Sequence, residues 1–175
     1  MKKTLLIITT MALSIQCGFG DPVLVNVKAT PFDRQMSRIR GVLVSSGSHG
    51  GGGVSLLVVN HWMGELRKIP YHYHYSWQKP GEVHSSTGAD CKGKAIALYR
   101  RMKAHGATNV RLVIGWRTPW SQTTHTWLEW STSHGKYVLD PTFRSSATQA
   151  NAVAGFAYVP LYAYAGARKF RVASR

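Results

Sequence analysis

Three residues in a fixed order carry the chemistry open to this chain: a thiol at Cys91, an imidazole at His125 and a carboxylate at Asp140. Cys91 lies in Gly88-Ala89-Asp90-Cys91-Lys92-Gly93-Lys94-Ala95, His125 in Thr124-His125-Thr126-Trp127, and Asp140 in Leu139-Asp140-Pro141-Thr142. The other cysteine, Cys17, falls in a stretch that reads as a removable export signal, which would leave Cys91 without an intramolecular disulfide partner. A lone exported thiol followed by a histidine and a carboxylate reads first as a nucleophile and its relay, so acyl transfer is the leading chemistry.

A thiol attacks a carbonyl as its thiolate, and an unperturbed cysteine loses its proton only near pH of about 8.5. The spacing puts Cys91 in the first turn of a helix, where unpaired N–H groups and the positive end of the dipole favour an anion. Asp90 acts in the opposite sense. The larger influence must then come from His125.

The elements that position these groups follow from local pattern. Lys92 to His105 is the clearest helix: Cys91, Ala95, Leu98 and Met102 form one apolar stripe, Ile96 and Tyr99 widen it, and Lys92, Arg100 and Lys103 face outward. Asp90 is a suitable N-cap and Gly106 a suitable stop. Asn109 to Trp116, Thr123 to Trp130 and Lys136 to Leu139 are rich in β-branched and aromatic residues between turn formers, and read as antiparallel strands. With Ser131-Thr132-Ser133-His134 as a four-residue loop, Trp130 pairs with Gly135 and His125 lies directly opposite Asp140. His125, Trp127 and Glu129 then share one side of the strand, and that side is expected to face the Cys91 helix.

Elsewhere, apolar residues at Leu57, Val58, His61-Trp62 and Leu66 predict a helix from Val54 to Lys68, stopped by Pro70. Tyr71-His72-Tyr73-His74-Tyr75 alternates with period two, tyrosines on one side and histidines on the other. His72 and His74 offer a metal pair, although such a pair with no further ligand is ordinarily plain surface. Val23 to Val27 reads as a short strand, and Gly47-Ser48-His49-Gly50-Gly51-Gly52-Gly53 as a flexible connector. Beyond Phe143 the chain is rich in Ala, Ser and Gly and then in aromatics, with no chemical role assigned.

The chain as a whole sets the setting. Met1-Lys2-Lys3, an apolar run from Leu5 to Ile15 and Gly18-Phe19-Gly20 make residues 1–20 a secretory signal, too short to span a bilayer; lipidation at Cys17 is the alternative, without the usual small residue before it. Residues 21–53 read as an N-terminal arm and 54–175 as the compact catalytic domain, and a periplasmic or secreted location follows. Lys and Arg number 22 against 7 Asp and Glu, a formal net charge of +15, which favours anionic partners such as the cell-envelope surface. The cations are scattered and export argues against nucleic acid as a partner.

Each feature also has a plainer meaning. A lone cysteine on an apolar stripe is ordinarily a small buried hydrophobe, His125 could be a satisfied core histidine, and Asp140 before Pro141 is a common turn starter. Order, helix position and register together favour catalysis.

Asp90-Cys91-Lys92-Gly93-Lys94-Ala95, Asn109-Val110-Arg111-Leu112-Val113, His125-Thr126-Trp127-Leu128-Glu129 and Val138-Leu139-Asp140-Pro141-Thr142 resemble the transglutaminase-like superfamily, with the bacterial transglutaminase-like cysteine peptidases nearest in pattern. The resemblance covers about residues 54 to 145. It implies an α+β, papain-like fold with the nucleophile-bearing helix packed on an antiparallel sheet, and a triad of Cys91, His125 and Asp140. It further implies that Trp77 stands where the family's upstream tryptophan lends its indole N–H to an oxyanion site; a core aromatic wedge is the structural alternative. Calcium-dependent relatives carry acidic residues just after the cysteine, where this chain has Lys92 and Lys94, so calcium is not expected; the reading includes no other metal and no cofactor.

The expectation is an exported cysteine-dependent hydrolase or acyltransferase acting on protein or peptide amides through a thioester. Two other classes stay open: a non-catalytic basic module binding the envelope, and a metal-binding protein using Cys91, His125, Asp140 and His84.

Overall fold

The computed structural model describes residues 22–45, 53–153 and 157–173. The expected signal, Cys17 and nearly all of the glycine-rich connector lie outside the described residues.

The architecture is α+β. Seven antiparallel strands, β1 (Leu24–Asn26), β2 (Val110–Trp116), β3 (His125–Thr132), β4 (Gly135–Leu139), β5 (Thr148–Gln149), β6 (Val159–Ala165) and β7 (Arg168–Val172), form one sheet in the order β1-β7-β6-β2-β3-β4-β5. Among the described residues three α-helices accompany it: α1 (Arg40–Val44), α2 (Leu56–Lys68) and α3 (Cys91–Ala104). No helix among the described residues is long and apolar enough to cross a membrane.

α3 forms where its stripe predicts. Ala95, Ile96, Leu98, Tyr99 and Met102 are buried against Leu112, Leu128, Trp130 and Leu139 of the sheet, because residues three and four apart share one side of a helix. α2 also matches its expected range, but its buried side is Val59, Met63 and Leu66, while Leu57 is 78% exposed. That spacing of four and three residues is the continuous stripe; Leu57 and Val58 lie off it.

The β3–β4 hairpin departs from expectation. Leu128 pairs with Leu139 and Thr132 with Gly135, so the turn holds only Ser133 and His134. Thr132 stays in the ladder because its hydroxyl accepts from His134 N–H at 3.0 Å and donates to the Gly135 carbonyl at 3.1 Å, while Gly135 takes φ 120°. The register therefore slips by two residues. An even slip leaves every side chain on its expected side, so His125 and Asp140 become diagonal rather than direct neighbours on one side of the hairpin.

Two further segments complete the body, the unassigned tail and the arm with its expected short strand from Val23 to Val27. β6, from the unassigned tail, pairs with β2 in the middle of the sheet, and the register shifts between Ile114 and Gly115 where Pro160 interrupts the donors. Gly115 lies there because a side chain would meet the Val159 carbonyl at 2.1 Å. Upstream of Val54, β1 pairs with β7, and Met36, Ile39 and Leu43 lie in the same core as α3.

Candidate active site

Cys91 is the first residue of α3, and Asp90 caps the helix by accepting the Gly93 N–H at 3.0 Å. This leaves the Cys91 N–H without an intrahelical partner, as at any helix start. The Asp90 carboxylate also takes the His74 N–H at 3.1 Å and pairs with the Lys92 ammonium. The charge that opposed a thiolate is thereby matched by its neighbour. Lys94, one turn on, is only 2% exposed and donates to the Ile69 carbonyl at 2.7 Å. Burial, helped by Arg67, holds its pKa below the usual lysine range against the pull of Asp140.

His125 opens β3, opposite Gly115. Its side does not face the Cys91 helix, contrary to expectation: Leu128 and Trp130 pack with α3, whereas Trp127 packs with Val113, Val138, Tyr158 and Ala163 on the other face. The ring nonetheless lines one cavity together with Cys91. Both residues sit at the very start of their elements, so they meet over the end of the sheet.

His125 Nε2 lies 2.8 Å from Asp140 Oδ2, which leaves Nδ1 as the nitrogen for the sulfur. Asp140 is fully buried and also accepts from the Tyr158 hydroxyl at 2.8 Å and the Thr142 N–H at 3.0 Å. Burial works against a charged carboxylate, but hydrogen bonds from His125, Tyr158 and the Thr142 backbone hold the pKa of Asp140 below the ordinary carboxylate range. Burial likewise opposes an imidazolium, yet the hydrogen bonds to Asp140 and Cys91 outweigh it, and His125 is pushed up to about 9. At neutral pH the ring therefore holds a proton on each nitrogen.

Tyr158 was not legible as part of this cluster. It comes from the tail, at φ 56°, with its N–H donating to the Arg117 carbonyl at 2.8 Å. A non-glycine residue in that left-handed region is uncommon, but the conformation is visible only in the fold. Burial and the neighbouring carboxylate push the Tyr158 hydroxyl up to about 12, so it remains a donor.

Trp77 is 1% exposed, packs in the main core and lines a cavity with Cys91; its indole N–H has no partner among the described residues. Its backbone is held from two directions. Arg38 donates to the Trp77 carbonyl at 3.1 Å and pairs with Glu82 at 2.9 Å, and Gln78 donates to the carbonyls of Glu82 and Gly88 at 3.3 and 3.2 Å. Gln78 in turn presses on Gly93, where a Cβ would come within 2.4 Å of Oε1.

Cys91 borders two cavities, of about 450 and 400 Å³, that share Tyr71, Thr123 and Thr124. Trp77 lines the first and His125 the second. His72 and His74 line neither cavity and have their rings 5.0 Å from one another, and His84 pairs with Ser86 at 2.8 Å. Among the described residues no group of three or more His, Cys, Asp or Glu side chains is arranged to hold a metal ion.

No protein-family profile and no curated protein sequence matches this chain significantly. Solved structures do. EGTA-treated LapG from Legionella pneumophila superposes with a TM-score of 0.55 at 16% identity, covering 84% of this chain and 80% of that one. The calcium-bound form of the same protein gives a TM-score of 0.51 at 16% identity, over 78% and 77% of the two chains. The antiparallel sheet, the Cys91-bearing helix and this likeness to LapG make the fold of the chain transglutaminase-like.

Proposed function

We propose that the chain is an exported cysteine peptidase or amidase in which Cys91 attacks an amide carbonyl, His125 carries the proton and Asp140 orients His125. The observation that carries this reading is the buried chain of contacts from Tyr158 through Asp140 to His125, which lines one cavity with Cys91 where two cavities meet.

The roles follow from the geometry. With Nε2 donating to Asp140, Nδ1 shuttles the proton. It leaves the sulfur free to attack, and the protonated ring then hands the proton to the departing amine, forming the thioester. A water molecule, activated by the now neutral ring, attacks the thioester and releases the acid. The Cys91 N–H, unpaired at the start of α3, and the partnerless indole N–H of Trp77 are the donors available to the tetrahedral oxyanion. Both cavities are open to solvent-exposed residues such as Tyr71, so water reaches the thioester and hydrolysis is the default outcome; an amine held in the same place would give cross-linking instead.

Alkylation of Cys91 with iodoacetamide across pH tests the pair directly. Wild-type protein is expected to react several-fold faster at neutral pH than His125→Ala. Identical profiles for the two proteins would return Cys91 to the role of a buried hydrophobe and leave the basic binding module as the reading.

A further inference from the structure

The segment from Pro70 to Tyr75 has one satisfied edge and one open edge. Ala89 N–H donates to the Pro70 carbonyl at 3.0 Å and His72 N–H to the Ala89 carbonyl at 3.3 Å. His74 N–H goes to Asp90 at 3.1 Å, and the His74 carbonyl receives Lys92 Nζ at 3.0 Å. The even-numbered residues thus turn their backbone groups toward the start of α3. In an extended chain the odd-numbered ones must turn theirs the other way, and among the described residues the N–H and C=O of Tyr73 have no hydrogen-bond partner.

This open edge runs along the cavity that holds Cys91. Tyr71, Tyr73 and Tyr75 all line it and are 60%, 65% and 82% exposed, so the fold itself does not cover them. Their spacing of two residues is the spacing at which a second extended chain presents side chains to one side. The two cavities at Cys91 have Lys92 and Arg117 in their linings and no carboxylate, in a chain of net charge +15.

We propose that Tyr71–Tyr75 is a docking strand: an extended, carboxylate-bearing stretch of polypeptide adds to its open edge and runs past Cys91. Main-chain hydrogen bonds at Tyr73 give affinity and register, the tyrosines wall the pockets for alternate side chains, and the exposed Arg117 together with the net positive charge selects acidic over basic sequence. This rests on the peptidase reading for its consequence, but not for its test, which measures binding alone.

The probe is a fluorescent decapeptide of alternating Asp and Ala, blocked at both ends, titrated into full-length Cys91→Ala protein at low salt. Two further versions carry N-methyl groups on every Ala or on every Asp. Strand addition has a period of two, so one N-methyl series is expected to bind at least tenfold more weakly and the other to bind like the parent. A decapeptide with Lys for Asp is expected to bind at least tenfold more weakly as well. Tyr73→Pro, which removes one open N–H, is expected to lose at least tenfold affinity at unchanged melting temperature, and Tyr73→Phe to stay within about twofold. Equal binding of the two N-methyl series, or of the Lys and Asp peptides, overturns the proposal. So does failure of the parent peptide to bind while a soluble chitotetraose does, since that would make the tyrosines a sugar-stacking surface. Peptide binding with no turnover by wild-type protein would spare the docking strand and sink the catalytic reading.

Discussion

The two faces of the sheet use alternate residues of the same strands for different ends. On one face Leu112, Leu128, Trp130 and Leu139 pack against α3 with Met63, Leu66 and Leu98, all essentially apolar contact. On the other face His125, Asp140 and Tyr158 form a buried polar chain seated on Trp127, with the His125 ring 6.1 Å from Trp127 and 5.4 Å from Phe143. The first face is held by area and shape. The second has a fully buried carboxylate, which is tolerable only because three donors meet it. What separates structure from chemistry in this molecule is thus a single step along β3, and the two meet only at the end of the sheet.

The sharpest way to break this division is to cut each side separately. Cys91→Ala is expected to lower turnover of an activated acyl ester by roughly 10³-fold or more while moving the melting temperature little, because one sulfur leaves and no buried charge is stranded. Leu128→Ala should do the reverse, costing about 2–5 kcal/mol of stability by urea unfolding while the remaining folded protein still alkylates at the wild-type rate. Strong destabilisation by the first or a slow thiol in the second would merge the two faces.

A smaller effect is expected at Tyr158. Tyr158→Phe removes one donor from Asp140 and keeps the ring, so kcat/KM should fall about tenfold, near the low end of the about 1.5–3 kcal/mol of a hydrogen bond to a charged group. Rescue is not expected from added salt. Unchanged kinetics would make Tyr158 a packing residue only.

The smallest effect concerns pH. The folded-state pKa of His125 is raised from 6.5 to about 9, burial opposing and Asp140 and Cys91 prevailing. A raised pKa means that folding takes up a proton, so this contribution to stability is full below pH 6.5 and is lost as pH rises through about 9. The melting temperature of wild-type protein should therefore decline by a few degrees more across that window than that of His125→Gln. Parallel curves would show that the ring is not held as an imidazolium. Turnover should also fall above pH of about 9, when the ring no longer has a proton for the leaving amine.

The docking strand extends the comparison to the rim. The Pro70 carbonyl, the His72 N–H and both backbone groups of His74 are bound into the fold, while those of Tyr73 have no partner among the described residues, the same alternation that divides β3, here turned from side chains to main chain.

Much of the frame could be read from local pattern. The stripe of α3, its Asp90 cap and the β-rich stretches that became β2, β3 and β4 each depend on residues close in the chain, and an apolar period of 3.6 or 2 is a local property. The order thiol, imidazole, carboxylate is likewise visible in the sequence, as is the shared side of His125 and Asp140, which survives a slip of two residues. Tertiary structure alone decided the rest. The face of β3 that meets α3, the hairpin turn of Ser133 and His134, the place of β6 beside β2 and the arrival of Tyr158 at Asp140 all depend on contacts between distant segments, whose energies no short window contains. Sequence periodicity states which residues share a side; only the packed chain states what that side will face.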